Sequence, residues 1–139
     1  MTKLDLYESR VLKLQEILAH YEIESECEEL GPPKVFHIVG GTARVWKLFE
    51  SEDVTVVKSH VTPNSEFPRH SHDEMVFIVL FKGYAVYVSD DVEDSPGRRL
   101  EMYPGQCVSV PIGKPHKIIT EDEGAWFSVT TIPKGVGLL

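Results

Sequence analysis

Six histidines stand in the 139 residues, at positions 20, 37, 60, 70, 72 and 116, and three of them occupy patterns suited to metal chemistry. His70-Ser71-His72 sets two imidazoles on one face of an extended strand, because side chains alternate with period two. Neutral imidazoles one strand-step apart can converge on a single transition-metal ion. In a chain with six histidines such a pair arises readily by chance, and its plain alternative is two solvated histidines at a strand end. A sharper signal lies downstream. Gly105-x5-Pro111-x-Gly113-x2-His116 fits a strand, a tight Pro/Gly reversal over 111–115 and a returning strand that opens on histidine. His20, His37 and His60 have no motif around them and read as structural or solvated. Cys107, on the strand leading to the reversal, reads as a small buried apolar residue rather than a reactive thiol. There is no Gly-rich phosphate loop and no nucleophile elbow.

The elements that must position these histidines are mostly strands. Lys34 to Val39 and Ala43 to Phe49 flank Gly40-Gly41-Thr42, a hairpin signal. Val54 to Val61 follows, then a proline-containing approach to His70. Met75 to Phe81 and Tyr84 to Ser89 flank Lys82-Gly83. Beyond the acidic loop Asp90 to Gly97 come Arg99 to Tyr103, Cys107 to Val110, His116 to Ile119 and Ala125 to Ile132. Short strands at this spacing predict a β-sandwich or barrel. The run Met75 to Phe81 is apolar at every position, so both of its faces must be covered. One face looks into the barrel; the other meets an N-terminal helix, a second sheet or another subunit.

Residues 1–30 differ in character. Leu4, Tyr7, Val11, Leu14, Leu18 and Tyr21 recur at spacings of three and four, the stripe of an amphipathic helix that ends near Glu24. An acidic segment and the stop Gly31-Pro32-Pro33 follow. The stripe can be buried against its own domain or against a second copy. The chain thus divides into a helix with acidic linker, 1–30, and a β domain, 31–139.

Composition bounds the function classes. A net charge of −8 argues against nucleic-acid binding, which calls for a basic stripe. Residues 1–30 carry 8 of the 22 acids and 3 of the 14 bases, so the remainder is nearly neutral and its charge names no partner. The longest apolar run, seven residues, falls far short of the roughly 20 of a membrane helix. The N-terminus shows no secretory h-region, and the two cysteines cannot make a disulfide framework, so the cytoplasm is expected.

Together the two histidine segments, in this order, resemble the paired motifs of the cupin superfamily, G-x5-H-x-H-x3-4-E-x6-G and G-x5-P-x-G-x2-H-x3-N. The second matches except that Thr120 replaces the final Asn. The first keeps His70, His72 and Gly83, with Asn64 at its opening Gly and Val76 where its Glu falls. The resemblance covers Asn64 to Thr120 and implies a mainly β fold, a double-stranded β-helix (jelly-roll) barrel, here with an N-terminal α-helix. It also implies one divalent transition metal (Fe, Mn, Ni, Cu, Co or Zn) held by His70, His72 and His116. Glu74 shares strand parity with His72 and Val76. If the chain stays extended through Asp73 it can replace the missing ligand; if the segment turns there, as the family does, three histidines and water remain, which is the expectation.

A metal-bound small-molecule protein follows from the resemblance, with an iron-dependent dioxygenase-type oxidoreductase as the leading enzymatic form. The second reading is a non-catalytic sensor or binding module dimerised through the N-terminal helix. A sugar-type isomerase ranks third, since no acid–base pair is visible outside the metal motif. Apolar pocket walls are expected from Ile78 and Leu80, with Trp126 or Phe127 as further candidates and core burial as their usual role. A homodimer is expected from the Leu4–Tyr21 stripe and the doubly apolar strand.

Overall fold

The computed structural model describes residues 31–92 and 96–133. The expected N-terminal helix and acidic linker, 1–30, lie outside the described residues. Among the described residues every regular element is a strand: β1 (Lys34–Ile38), β2 (Gly41–Glu50), β3 (Thr55–Val61), β4 (Glu66–His70), β5 (Met75–Ser89), β6 (Arg99–Met102), β7 (Cys107–Val110) and β8 (His116–Ile132). None of them is a helix long and apolar enough to cross a membrane.

All pairings between these strands are antiparallel, and β5 and β8 organise them. The two run together from Met75↔Ile132 to Ser89↔His116. Each changes its outer neighbour halfway. β7 lies beside residues 76–79 of β5 and β6 beside 85–88. β4 lies beside the opening of β8, and β3 beside residues 125–131. The result is two half-sheets, β1-β2-β3-β8-β5-β7 and β4-β8-β5-β6, which share their two central strands and close into a barrel.

This differs from the sequence pattern, which breaks both strands. Lys82-Gly83 reads as a turn, and residues 120–124 as a gap, yet β5 and β8 run through. Register slips between Leu80 and Lys82 and between Gly83 and Ala85 bend the pair instead of ending it. Gly83 takes φ +92°, and a Cβ there would stand 2.0 Å from the Gly124 carbonyl oxygen. Only glycine permits the backbones to approach so closely at the corner where both strands pass between half-sheets.

Period two then sorts the side chains. Val76, Ile78, Leu80, Ala85 and Tyr87 of β5 join Val108, Val110, Ile118 and Phe127 in the barrel core. Met75, Phe77 and Phe81 face outward and pack with Val54, Val56 and Ile132. The double coverage expected of Met75 to Phe81 is therefore present. Cys107 departs from expectation: its parity opposes the inward Val108 and Val110, and it is exposed on the outer face of β7.

Gly83→Ala should cost about 2 kcal/mol or more, combining the positive φ with a backbone clash. Gly105→Ala, also at positive φ but with open space around its Cβ position, should cost only about 1–2 kcal/mol. Urea midpoints of the two variants check this order.

Candidate metal centre

The centre is built where β4 ends and β8 begins. His70 closes β4, His116 opens β8, and the two are direct partners in the β4–β8 ladder. His72 lies two residues beyond His70, after the strand. Ring centroids stand 4.4 Å apart for His70 and His116, 4.7 Å for His70 and His72, and 5.5 Å for His72 and His116. One ligand nitrogen from each histidine lies within 4.8 Å of the other two, so the trio could hold a metal ion.

Backbone carbonyls fix two of the rings. His70 Nδ1 donates to Pro68 O at 2.8 Å, and His116 Nδ1 donates to Lys114 O at 3.0 Å. A carbonyl only accepts, so each Nδ1 carries the proton and each Nε2 keeps its lone pair. That is the tautomer a metal ligand needs. Burial supplies the neutral form as well. It pushes His116, 1% exposed, down to about 4, against the raising effect of the Lys114 carbonyl and with help from His70 and His72. It also lowers His72, assisted by His70 and opposed by the Glu74 carboxylate.

The approach to β4 is set by a polar clamp. Asn64 adopts φ +51°, a left-handed conformation that asparagine tolerates better than most residues, which accounts for Asn standing at a glycine position. Thr120 Oγ1 donates to Thr62 O at 2.6 Å and accepts from Ser65 N at 3.0 Å. The threonine at the last motif position thus ties β8 to the turn that launches β4, and so holds His70 opposite His116.

Glu74 sits half-buried in a bend between β4 and β5 and is not among the converging groups. Val76 is 1% exposed and faces the histidines from β5. The position at which the motif carries a carboxylate is therefore apolar.

The histidines open onto a cavity of about 180 Å³, somewhat larger than the ~150 Å³ that accommodates benzene. Val45, Val57, Val61, Phe67, Ile118 and Val129 join Val76, Ile78 and Phe127 in its wall. Among the described residues the wall holds no charged side chain, and Ser59 is its one polar group besides the three histidines. Of the expected wall residues, Ile78 and Phe127 line the cavity; Leu80 is core, and Trp126 faces the opposite side of the sheet, against His60. Sequence reading passed over Val57, Ser59, Val61 and Val129, although alternation along β3 and β8 could have found them once their inward parity was known. It also passed over Tyr87, whose ring lies 5.8 Å from His116 at 28° and whose hydroxyl is buried.

Comparison with known proteins agrees with the fold. A family model described as a cupin domain matches residues 57–130, more than half of the chain. No curated protein matches the sequence. Among solved structures, oxalate decarboxylase of Bacillus subtilis superposes with a TM-score of 0.63 at 23% identity, over 75% of this chain and 28% of its own length. A predicted oxalate decarboxylase of Thermotoga maritima gives 0.66 at 17% identity, over 78% of this chain and 97% of its own. A conserved Streptococcus pyogenes protein of unknown function gives 0.56 at 17% identity, over 66% and 75%. The chain thus spans under a third of the Bacillus enzyme, and at these identities the likeness is one of fold.

Two outcomes follow. Glu74→Gln should leave metal affinity within a factor of about two, as for a surface change; a loss of one to two orders of magnitude would make Glu74 a ligand. In metal-free protein the His116 proton affinity is lower folded than unfolded, so the unfolded state binds more protons between about 4 and 6.5. Its contribution to stability should therefore fall as pH is lowered through that window. His116→Asn should flatten this part of the pH dependence in urea titrations.

Proposed function

The chain belongs to the cupin family, and on that premise we propose that it holds one divalent transition metal through His70, His72 and His116 and binds a compact small molecule there, most favourably for dioxygenase-type oxidation with iron. The observation that carries this reading is the convergence of three imidazoles on an apolar cavity, with valine in place of a fourth, anionic ligand. The Pro68 and Lys114 carbonyls hold the His70 and His116 rings with Nε2 free. When bound, the metal supplies Lewis acidity and open positions for ligand and, as iron, for oxygen chemistry. With Val76 in the wall and no carboxylate in the donor set, the centre keeps a full +2 charge and favours an anionic or chelating group on the ligand.

The wall decides the rest of the ligand. About 180 Å³ lined by aliphatic and phenyl groups admits a body of roughly ten heavy atoms or fewer. Such a wall strengthens electrostatic contacts at the centre by keeping water away. Oxalate, named in the relatives, is a poor match for this wall, because the described residues offer its second carboxylate no cationic partner. A non-catalytic binding module is the second reading. It is favoured by the lack of a titratable side chain, other than the three histidines, among the described wall residues.

Metal analysis followed by oxygen uptake with thiols, diketones and catechols tests both. The expected result is about one metal per chain, lost in His116→Ala without loss of strand structure, and uptake with one of these substrate classes. Retention of wild-type affinity in His116→Ala would overturn the ligand assignment. Tight binding of a panel member without turnover would move the reading to the binding module.

A further inference from the structure

The outer face of the larger half-sheet is more deeply buried than its neighbours in the sheet can make it. Trp46 of β2, Val56 and Lys58 of β3, and Ser128 and Thr130 of β8 all point away from the cavity, and each is at most 2% exposed. Val79 of β5, at 6%, faces the same way. Flanking side chains shield the sides of such a row but not its top. The other half-sheet shows the contrast: outward Tyr84, Val88, Glu101, Lys117 and Ile119 stay half-buried or exposed, and Val86 alone is shielded. Among the described residues no strand packs across the buried face, since the strand contacts follow the sheet ladders apart from a slight one between β1 and β4.

Burial also ends sharply to either side. Cys107 and Ser109 on β7 are exposed, as are residues 34–37 on β1. The covered strip is therefore β2-β3-β8-β5, about 14 Å wide at the usual strand spacing, close to the 10–12 Å diameter of one helix.

Its chemistry is equally specific. Trp46 and Trp126 stack at 5.9 Å, with the Lys58 ammonium 4.6 and 5.3 Å from their ring centroids and Arg44 5.3 and 6.0 Å from them. The strip is thus both aromatic and basic.

We propose that this face is the docking surface of the chain's own N-terminal segment, with Leu4, Tyr7, Val11, Leu14, Leu18 and Tyr21 laid against Trp46, Trp126, Val56 and Phe77. Charge fits, because residues 1–30 carry 8 acids against 3 bases and meet Arg44 and Lys58. Length fits, since eighteen helical residues span about 27 Å, comparable with the seven residues of β3 at about 23 Å. Connection fits too: the segment joins the sheet at β1, the strand next to β2.

Trp46 and Trp126 are the two tryptophans of the chain, so intrinsic fluorescence reports on this face directly. In the full-length protein, emission should be blue-shifted and acrylamide quenching weak, both unchanged over about a hundredfold dilution. Leu14→Asp with Leu18→Asp should shift emission to the red and raise the quenching constant at least about twofold, with far-UV strand signal retained. Leu14→Ala, which adds no charge, should move quenching the same way by less, and it decides the matter if the aspartate pair unfolds the protein. Unchanged quenching in Leu14→Ala and in the folded aspartate variant would overturn the proposal. Shielding that is lost on dilution of the parent would overturn it in favour of a second copy.

Discussion

The pairing of β5 with β8 along their whole length is the constraint from which the rest of the structure follows. Each strand serves both half-sheets, so a single ladder closes the barrel and fixes how its two ends relate. β8 carries His116 at its start and Phe127 and Val129 further on. His116 and the wall residues of β5 and β8 therefore belong to one strand pair, and β3 and β4, which bring the rest of the wall and His70, both pair with β8. The close passage of Gly83 and Gly124 makes this possible, because a single Cβ at the crossing would force the two backbones apart.

Within that frame the site is arranged for neutrality. Burial disfavours charge on His116 and His72, backbone carbonyls fix the tautomers of His70 and His116, and the surrounding wall is aliphatic. Three imidazole donors face an apolar cavity, and the Glu74 carboxylate beside His72 is an acidic group that acts on the cluster. The same wall gives little specificity beyond size and the single hydroxyl of Ser59. Selectivity for a ligand would then come from the group that meets the histidines and from the volume behind it.

Period-two alternation gives the central strands two different jobs. Val57, Ser59 and Val61 of β3 face the cavity, while Val56 and Lys58 face the covered outer strip. β8 divides in the same way, with Phe127 and Val129 inside and Ser128 and Thr130 outside. Site and docking face are thus opposite sides of the same two strands, and a change in packing on one side acts on the backbone that shapes the other.

The amino-acid sequence alone determined the strand content, the hairpin at Gly40-Gly41 and the trio of histidines, because alternation, turn chemistry and ligand spacing are local properties. It also marked the departures at Asn64, Val76 and Thr120. What those departures do was decided by the tertiary structure. Asn64 holds a left-handed turn, Thr120 ties that turn to β8, and Val76, a few residues beyond His72, faces the cavity from the start of β5. The continuity of β5 and β8 was hidden for a similar reason. Gly83 and the polar stretch before Ala125 carry the local signature of a turn, and only pairing between the two strands converts each into a bend. Exposure of Cys107 was likewise settled by which parity faces outward, and that depends on partners tens of residues away; Lys58 has the same outward parity and is buried because its part of that face is covered.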